Sequence, residues 1–588
     1  MKCGTTTGRA VSKGYIRDGE VSELTTKRKQ SLRMVAGVAV LAIAAAACSS
    51  DKKSSSSSSV ASTTSVAVPK GGTLVVGAEQ EPDCADWIAS CAGSSWGYWM
   101  MNVTTMPRVY DTVNEGGKWV AKPSSLVTGE PSIDLKDPTK PVVTYKINPK
   151  AVWSDGTAIT CDDFAYTWDA IANGKDIYDP TGYTDIAKVD CTDEASPVVS
   201  FKKPVTAWKG LFGGGYGIYP AHLLKGKDHE KIMTNGYTFS GGPWMISKWD
   251  KGVSITLVPN TKYWGKQPTI GKVIFKFIPD TSASFQAFKA NEVQVMYPQP
   301  QPDALLQIKG GLKGATVTAT GDTGNVEALW MNNNTAPFND INFRKAVAYS
   351  INRDQVVNRL FGVLGVKKAQ NSFNPPIVAS YSTPAGFAGY TKNPSKAASF
   401  MKKAGYTKSG GYWTKGGQKA SFTLKTTVGN KRRALTAQIL QAELKQAGID
   451  MKIETVQAGD FFGEQLPKGD YQLGLYAQVA TTPDPGLCTI FCSTNIPSAA
   501  NDNSGQNWTG TNVKGLDTLL EQVDSVAVTA KRQKISKAAD LLIGASATSL
   551  PLDPLPNILL YKNTVKGKVA DNAVEGPFAQ MNYWTYKG

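Results

Sequence analysis

Apolar positions alternate with polar ones in short runs through the first half of the chain and recur at helical spacing through the second. Gly71-Gly72 opens the run Thr73-Leu74-Val75-Val76-Gly77, which predicts a strand. Val143, Tyr145 and Ile147 alternate as in another strand, and Ser154-Asp155-Gly156 then turns the chain. Thr160 followed three residues later by Asp163 is a capping box, and Phe164, Trp168 and Ile171 fall on one face of the helix it starts. The run 244–249, the turn Asp250-Lys251-Gly252 and the alternating Val253, Ile255 and Leu257 predict a hairpin. Further on, Asp340 caps a helix through 344–350, and Asn352-x-x-Gln355 caps the next. Asn393-Pro394 begins a helix that stops at Gly405; a helix over 434–447 ends at Gly448 and passes straight into a strand over 449–456. The first half is strand-rich, whereas strand–helix alternation in the second predicts α/β.

The N-terminus follows a different pattern. Lys27-Arg28-Lys29 and Arg33 precede an apolar run over 34–47 that ends Ala45-Ala46-Ala47-Cys48. As a helix this run spans about 21 Å, too short for a hydrocarbon core of about 30 Å, and a Ser-rich stretch follows at once. Residues 1–47 therefore read as a signal peptide. Cysteine directly after three alanines resembles a bacterial lipobox, by which Cys48 would be acylated and become the mature N-terminus. Residues 48–70 then read as a flexible tether.

Composition narrows the classes. At 588 residues the chain is too long for one core, and 41% hydrophobic against 19% charged residues excludes wholesale disorder. The 56 Gly and 32 Pro exclude a helical rod. The formal charge is +16, but eight cations and three acids lie in residues 1–47, leaving +11 dispersed over the remainder. No nucleic-acid module accompanies that charge, so no nucleic-acid partner is expected. There is no phosphate-loop motif and no spanning helix after Cys48, which excludes a self-contained pump. Of eight cysteines, six fall as Cys84/Cys91, Cys161/Cys191 and Cys488/Cys492. Even number, export and close spacing make three local disulfides the expectation among fifteen possible connectivities. Zinc at Cys488-x-x-x-Cys492 is the rival, with only His222 and His229 in the chain and neither nearby; neither metal nor cofactor is expected.

Four stretches resemble, in order, the family 5 solute-binding proteins, receptors of oligopeptide, dipeptide and nickel ABC importers. They are Tyr145-x-Ile147…Trp153-Ser154-Asp155-Gly156…Asp163-Phe164, Gly242-Pro243-Trp244…Asn260-x-x-Tyr263-Trp264-Gly265, Phe343-Arg344-x-Ala346…Asn352-Arg353-Asp354, and Asn393-Pro394-x-Lys396-Ala397…Ala404-Gly405. The resemblance implies a two-lobed α/β clamp of the periplasmic-binding-protein kind. Lobe I would be 71–321 plus 556–588 with an extra subdomain inserted, and lobe II 322–555. It implies a monomeric, lipid-anchored receptor on the outer face of the cell membrane that passes a peptide-like ligand to a permease and its ATPase subunits.

In such a receptor the segment holding Ser94, Ser95, Trp96 and Trp99 would face the cleft, with small residues admitting a ligand and rings supplying apolar area. Core packing is the competing reading of the two tryptophans. Asn430 and Arg433 sit where a lobe II strand meets a helix, a place where Arg can fork onto a carboxylate; a solvated Arg is the alternative. Peptide receptors of the family tend to carry Gly-Trp and then an Asp that pairs with the ligand's α-ammonium. Here Gln478 takes the place of the Trp and Thr481 that of the Asp, with Asp484 three residues later. Recognition is then expected to rest on backbone hydrogen bonds and apolar pockets, so that N-acetylation of a ligand costs little. Two rival readings remain: a lipoprotein of the same fold in a regulatory or envelope-lipid role, and a serine hydrolase using Ser95 in Gly93-Ser94-Ser95-Trp96-Gly97.

Overall fold

The strand Thr73–Ala78 forms the middle of a seven-stranded sheet, running parallel to Lys272–Phe277 on one side and to Val295–Met296 on the other. The computed structural model describes residues 71–588 apart from Asp322, so the expected signal peptide, Cys48 and tether lie outside the described residues. Beyond Lys272–Phe277 the sheet continues into the hairpin of Ser254–Pro259 and Trp244–Asp250, with Gly252 at φ 73° in its turn. Its other edge pairs Asn557–Lys562 with Val295–Met296 and Ala315–Thr320. This sheet is the frame of lobe I.

Inserted between its strands, residues 132–201 add a four-stranded sheet and the helix Cys161–Ala172. The Asp163 carboxylate accepts the Thr160 N–H at 2.9 Å, and Phe164 and Ile171 are buried while Trp168 is half-buried. The predicted strand over 143–147 is shorter, Val142–Thr144. Tyr145 and Ile147 still donate N–H bonds to Pro197 and Ala195, but Pro197 has no N–H to return, and the ladder lapses there. All three apolar side chains remain buried.

The second large sheet has five strands in the order Asp450–Val456, Ser421–Thr427, Leu473–Val479, Asn325–Met331, Ser549–Asp553. Asn325–Met331 is buried at all seven positions, as expected for a central strand covered on both faces. Helices capped by Asp340, Asn352, Asn393 and Asn430 surround it. The helix predicted from 434 begins at Lys431, because the Asn430 side chain accepts the Arg433 N–H at 2.9 Å and starts it a turn earlier. It closes at Gly448, φ 86°.

The chain passes between the two sheets from Thr320 to Asn325 and again from Asp553 to Asn557. These passages are bonded to each other: the Thr323 hydroxyl donates to the Leu555 carbonyl at 2.9 Å, and Asn325 Nδ2 to Asn557 Oδ1 at 2.6 Å. One apolar core joins the inserted sheet to one face of the seven-stranded sheet. The other fills lobe II and takes in Phe285, Phe288 and Leu305 from lobe I. Disulfides join Cys84–Cys91, Cys161–Cys191 and Cys488–Cys492, the three local pairs expected.

Candidate functional site

A cavity of about 250 Å³ lies between the lobes. Lobe I contributes Gly93–Ser95 and Tyr98 from the start of a helical stretch, the inserted subdomain contributes Tyr178 and Asp179, and the segment that follows the subdomain contributes Tyr216. Lobe II contributes Phe462, Trp508, Asp524 and residues 477–482, the end of the strand Leu473–Val479 and the turn that leaves it. Among the described residues eight aromatic side chains line it. A larger recess of about 440 Å³ is lined by Glu79, Glu81, Asp83, Lys251 and Asp460, with Phe277 its one aromatic residue among those described. Enclosure by aromatic walls with a few polar groups marks the first as the candidate ligand site.

The lobes touch along one side of the cavity. Asp176 N–H donates to the Asp502 carbonyl at 2.8 Å, Ile177 N–H to Ser504 Oγ at 2.9 Å, and Gly505 N–H to the Ile177 carbonyl at 2.9 Å. Thr489 Oγ1 donates to Asp179 Oδ2 at 3.2 Å, and Asn495 Nδ2 to Thr181 Oγ1 at 3.2 Å. Thr206 N–H donates to the Asp524 carbonyl at 2.7 Å. Gly210 permits this approach: a Cβ there would stand 2.5 Å from the Thr482 methyl group.

Five sequence-predicted residues line the cavity: Ser94, Ser95, Gln478, Thr481 and Asp484. The Ser94 hydroxyl donates to Gln80 Oε1 at 3.3 Å, and Gln478 Nε2 to Gln506 Oε1 at 3.1 Å. Asp484 is not free, since Oδ1 accepts from Arg532 Nη2 at 2.7 Å.

Four others stand elsewhere. Trp96 and Trp99 are buried, pack edge-on against each other and Tyr297, and reach only a small pocket of about 40 Å³ behind the cavity. Spaced three apart on one helical face, they serve the core. Asn430 caps its helix and lines the acidic recess. Arg433 is neither solvated nor available to a ligand carboxylate. Its Nε and Nη2 donate to Glu327 at 2.7 and 3.1 Å and its Nη1 to Thr427 Oγ1 at 2.9 Å, while Arg432 Nη2 donates to the same carboxylate at 3.1 Å. Ser95 has no histidine beside it on the wall: His222 bonds Asp155 and His229 bonds Asp86, and neither lines the cavity.

Sequence reasoning missed Asp179 and Asp524. The only local signal was the aromatic-acid run Tyr178-Asp179-Pro180-Thr181-Gly182-Tyr183. Burial raises both carboxyls, Asp524 to about 7. Burial also raises Asp484, with Arg532 opposing. Among the described residues no group of three or more His, Cys, Asp or Glu is placed to hold a metal, and no helix is long and apolar enough to cross a membrane.

Comparisons with known proteins agree on one architecture. The oligopeptide-binding protein OppA of Mycobacterium tuberculosis is 26% identical over 456 residues, covering 74% of this chain and 72% of OppA. The structure of the oligopeptide-binding protein AppA from Bacillus subtilis, solved with a nonapeptide, superposes with a TM-score of 0.76 at 21% identity, covering 88% of this chain and 100% of that one. The oligopeptide-binding protein from Thermus thermophilus, solved with a pentapeptide, gives 0.76 at 19% identity over 88% and 97%. Residues 136–497 match the bacterial extracellular solute-binding proteins, family 5 Middle, and the chain belongs to that family.

Proposed function

We propose that this protein is the extracytoplasmic receptor of an ABC importer. It holds a peptide or peptide-like solute in the cavity between its lobes and delivers it to a membrane permease powered by separate ATPase subunits. The observation that carries this reading is a cavity walled by both lobes, so that a ligand favours the closed state by contacting both. The division into 71–321 plus 556–588 and 322–555 follows the two sheets, with the bonded passages as the hinge. The role is binding and delivery, without catalysis. Native mass spectrometry of residues 71–588 mixed with a peptide pool tests this; retention of no peptide would refute it.

The receptor is anchored through acylated Cys48, with residues 49–70 as a tether, a reading supported by Ala45-Ala46-Ala47-Cys48 after a short apolar run. Cys48→Ala is expected to abolish detergent-phase partitioning. Partitioning and mass unchanged by the substitution would remove the anchor.

A further inference from the structure

The charges around the cavity do not balance. Among the described residues four aspartates line it, Asp179, Asp185, Asp484 and Asp524, and no Lys, Arg or His does. Cations behind the wall are taken: Arg532 by Asp484 at 2.7 Å, Lys203 by Asp185 at 3.0 Å, and Arg108, beside the cavity-lining Tyr98, by Glu575 at 3.8 Å. Among the described residues the Asp179 carboxylate bonds neutral groups, the Thr181 N–H and the Thr489 hydroxyl. Among the described residues Asp524 has no direct ion-pair partner, and it lies in the last turn of the helix Leu516–Ser525, where the carbonyl end already favours positive charge. Two acidic side chains thus face a partly desolvated, aromatic-walled space with no direct ion-pair partner among the described residues, so that ionising them costs free energy until a cation arrives. Tyr178 and Trp508, whose rings approach each other from opposite lobes at 6.1 Å, add faces that attract a cation.

We infer that the cavity selects solutes carrying an ammonium or guanidinium group, held by Asp179 and Asp524, and gives no seat to a solute's carboxylate. The inference rests on the reading of this cavity as the solute site and adds the charge of the solute. It alters the expectation drawn from Thr481: the anchoring acid is absent from its usual place, but two others reach the cavity from different elements, so a ligand's α-ammonium can be the bound cation.

Calorimetry on residues 71–588 decides this with pentapeptides Ala-Ala-X-Ala-Ala that are N-acetylated and C-amidated, X being arginine, citrulline or glutamate. The same peptide with X alanine, C-amidated with free and with acetylated N-terminus, reads the α-ammonium. Arginine over citrulline, or free over acetylated N-terminus, is expected to gain about ten-fold or more, with glutamate weakest. Whichever pair shows the gain identifies the cation. Asp179→Asn and Asp524→Asn should each bring that ratio toward one. Loss of the Thr489 contact alone would weaken all peptides alike and leave the ratio standing. Equal affinities across the series would overturn the inference and leave the peptide receptor intact. If no peptide binds, spermidine is the deciding probe: its binding keeps the cation site and removes the peptide reading, and its failure removes both.

Discussion

Glu327 has no exposed surface and stands between two guanidinium groups, also buried, with Asp553 close by on the next strand. Burial pushes its carboxyl up, but the charges of Arg432 and Arg433 and their hydrogen bonds outweigh that and hold it at about 2. Asp553 fares differently: burial raises it to about 7, with Arg432 opposing, so near neutrality Glu327 is ionised while Asp553 is only partly so. Glu327→Gln leaves two buried cations without their counter-charge and is expected to cost about 3–5 kcal/mol in urea unfolding. A loss below about 1 kcal/mol would show that water or Asp553 compensates. Buried acids also set a pH profile. Asp553, Glu79 and Asp524 are each raised to about 7 by burial, so the folded state binds protons there that the unfolded chain does not. Stability therefore rises as pH falls from 8 toward 5.5. Glu327 acts in the opposite sense: its contribution is full above the unfolded value of 4.5 and is lost as pH falls from there through about 2. A melting temperature several degrees higher at pH 5.5 than at pH 8, falling again below pH 4.5, is expected in calorimetric scans. A flat or rising profile between 5.5 and 8 would contradict it.

At the scale of elements, what was legible in the sequence was what neighbours in the chain decide. Caps at Asp340, Asn352, Asn393 and Asn430 act on an N–H two or three residues away, and the hairpin turn at Gly252 needs only its own backbone. Close cysteines likewise found each other. The site was less legible because its partners are remote. Arg433 looks like a free ligand-binding cation until Glu327, 106 residues earlier, is folded beside it. Asp179 reaches the cavity only because the inserted subdomain lies against Thr489, 310 residues later. Trp96 and Trp99 carried no local mark distinguishing wall from core. The Cys161–Cys191 bridge ties the first residue of the subdomain helix to the end of the strand Ile186–Asp190, 30 residues on. Cys161→Ser with Cys191→Ser is expected to cost about 3–4 kcal/mol by the chain-entropy relation, measured by denaturant unfolding. A loss below about 1 kcal/mol would mean that the helix and its sheet hold the subdomain without the bridge.

For the whole molecule the question is what balances the closed state. The two passages between the sheets are short and bonded to each other, which suits a hinge, while Phe285, Phe288 and Leu305 keep apolar contact across the lobes. Away from the passages, the lobes meet through polar contacts of residues 176–181 with 489–505 and of Thr206 with Asp524, and the Tyr178 and Trp508 rings lie 6.1 Å apart. A typical intramolecular hydrogen bond is worth only about 0.5–1.5 kcal/mol net, because water replaces it when the lobes part. Closure without ligand is therefore finely balanced, and a ligand touching both walls can decide it. Asn495→Ala with Ser504→Ala removes two of the contacts, the bonds to Thr181 and Ile177, without touching the cavity-lining aspartates. The expected result is a larger radius of gyration for the ligand-free protein in small-angle X-ray scattering and compact dimensions again at saturating ligand. Apparent affinity should fall by as much as about ten-fold per 1.4 kcal/mol shifted toward the open state, because the binding-competent population shrinks by that factor. The fall should be the same for cationic and neutral peptides, since these contacts act on closure and not on charge. An unchanged scattering profile with unchanged affinity would place the balance at the hinge and its apolar contacts instead.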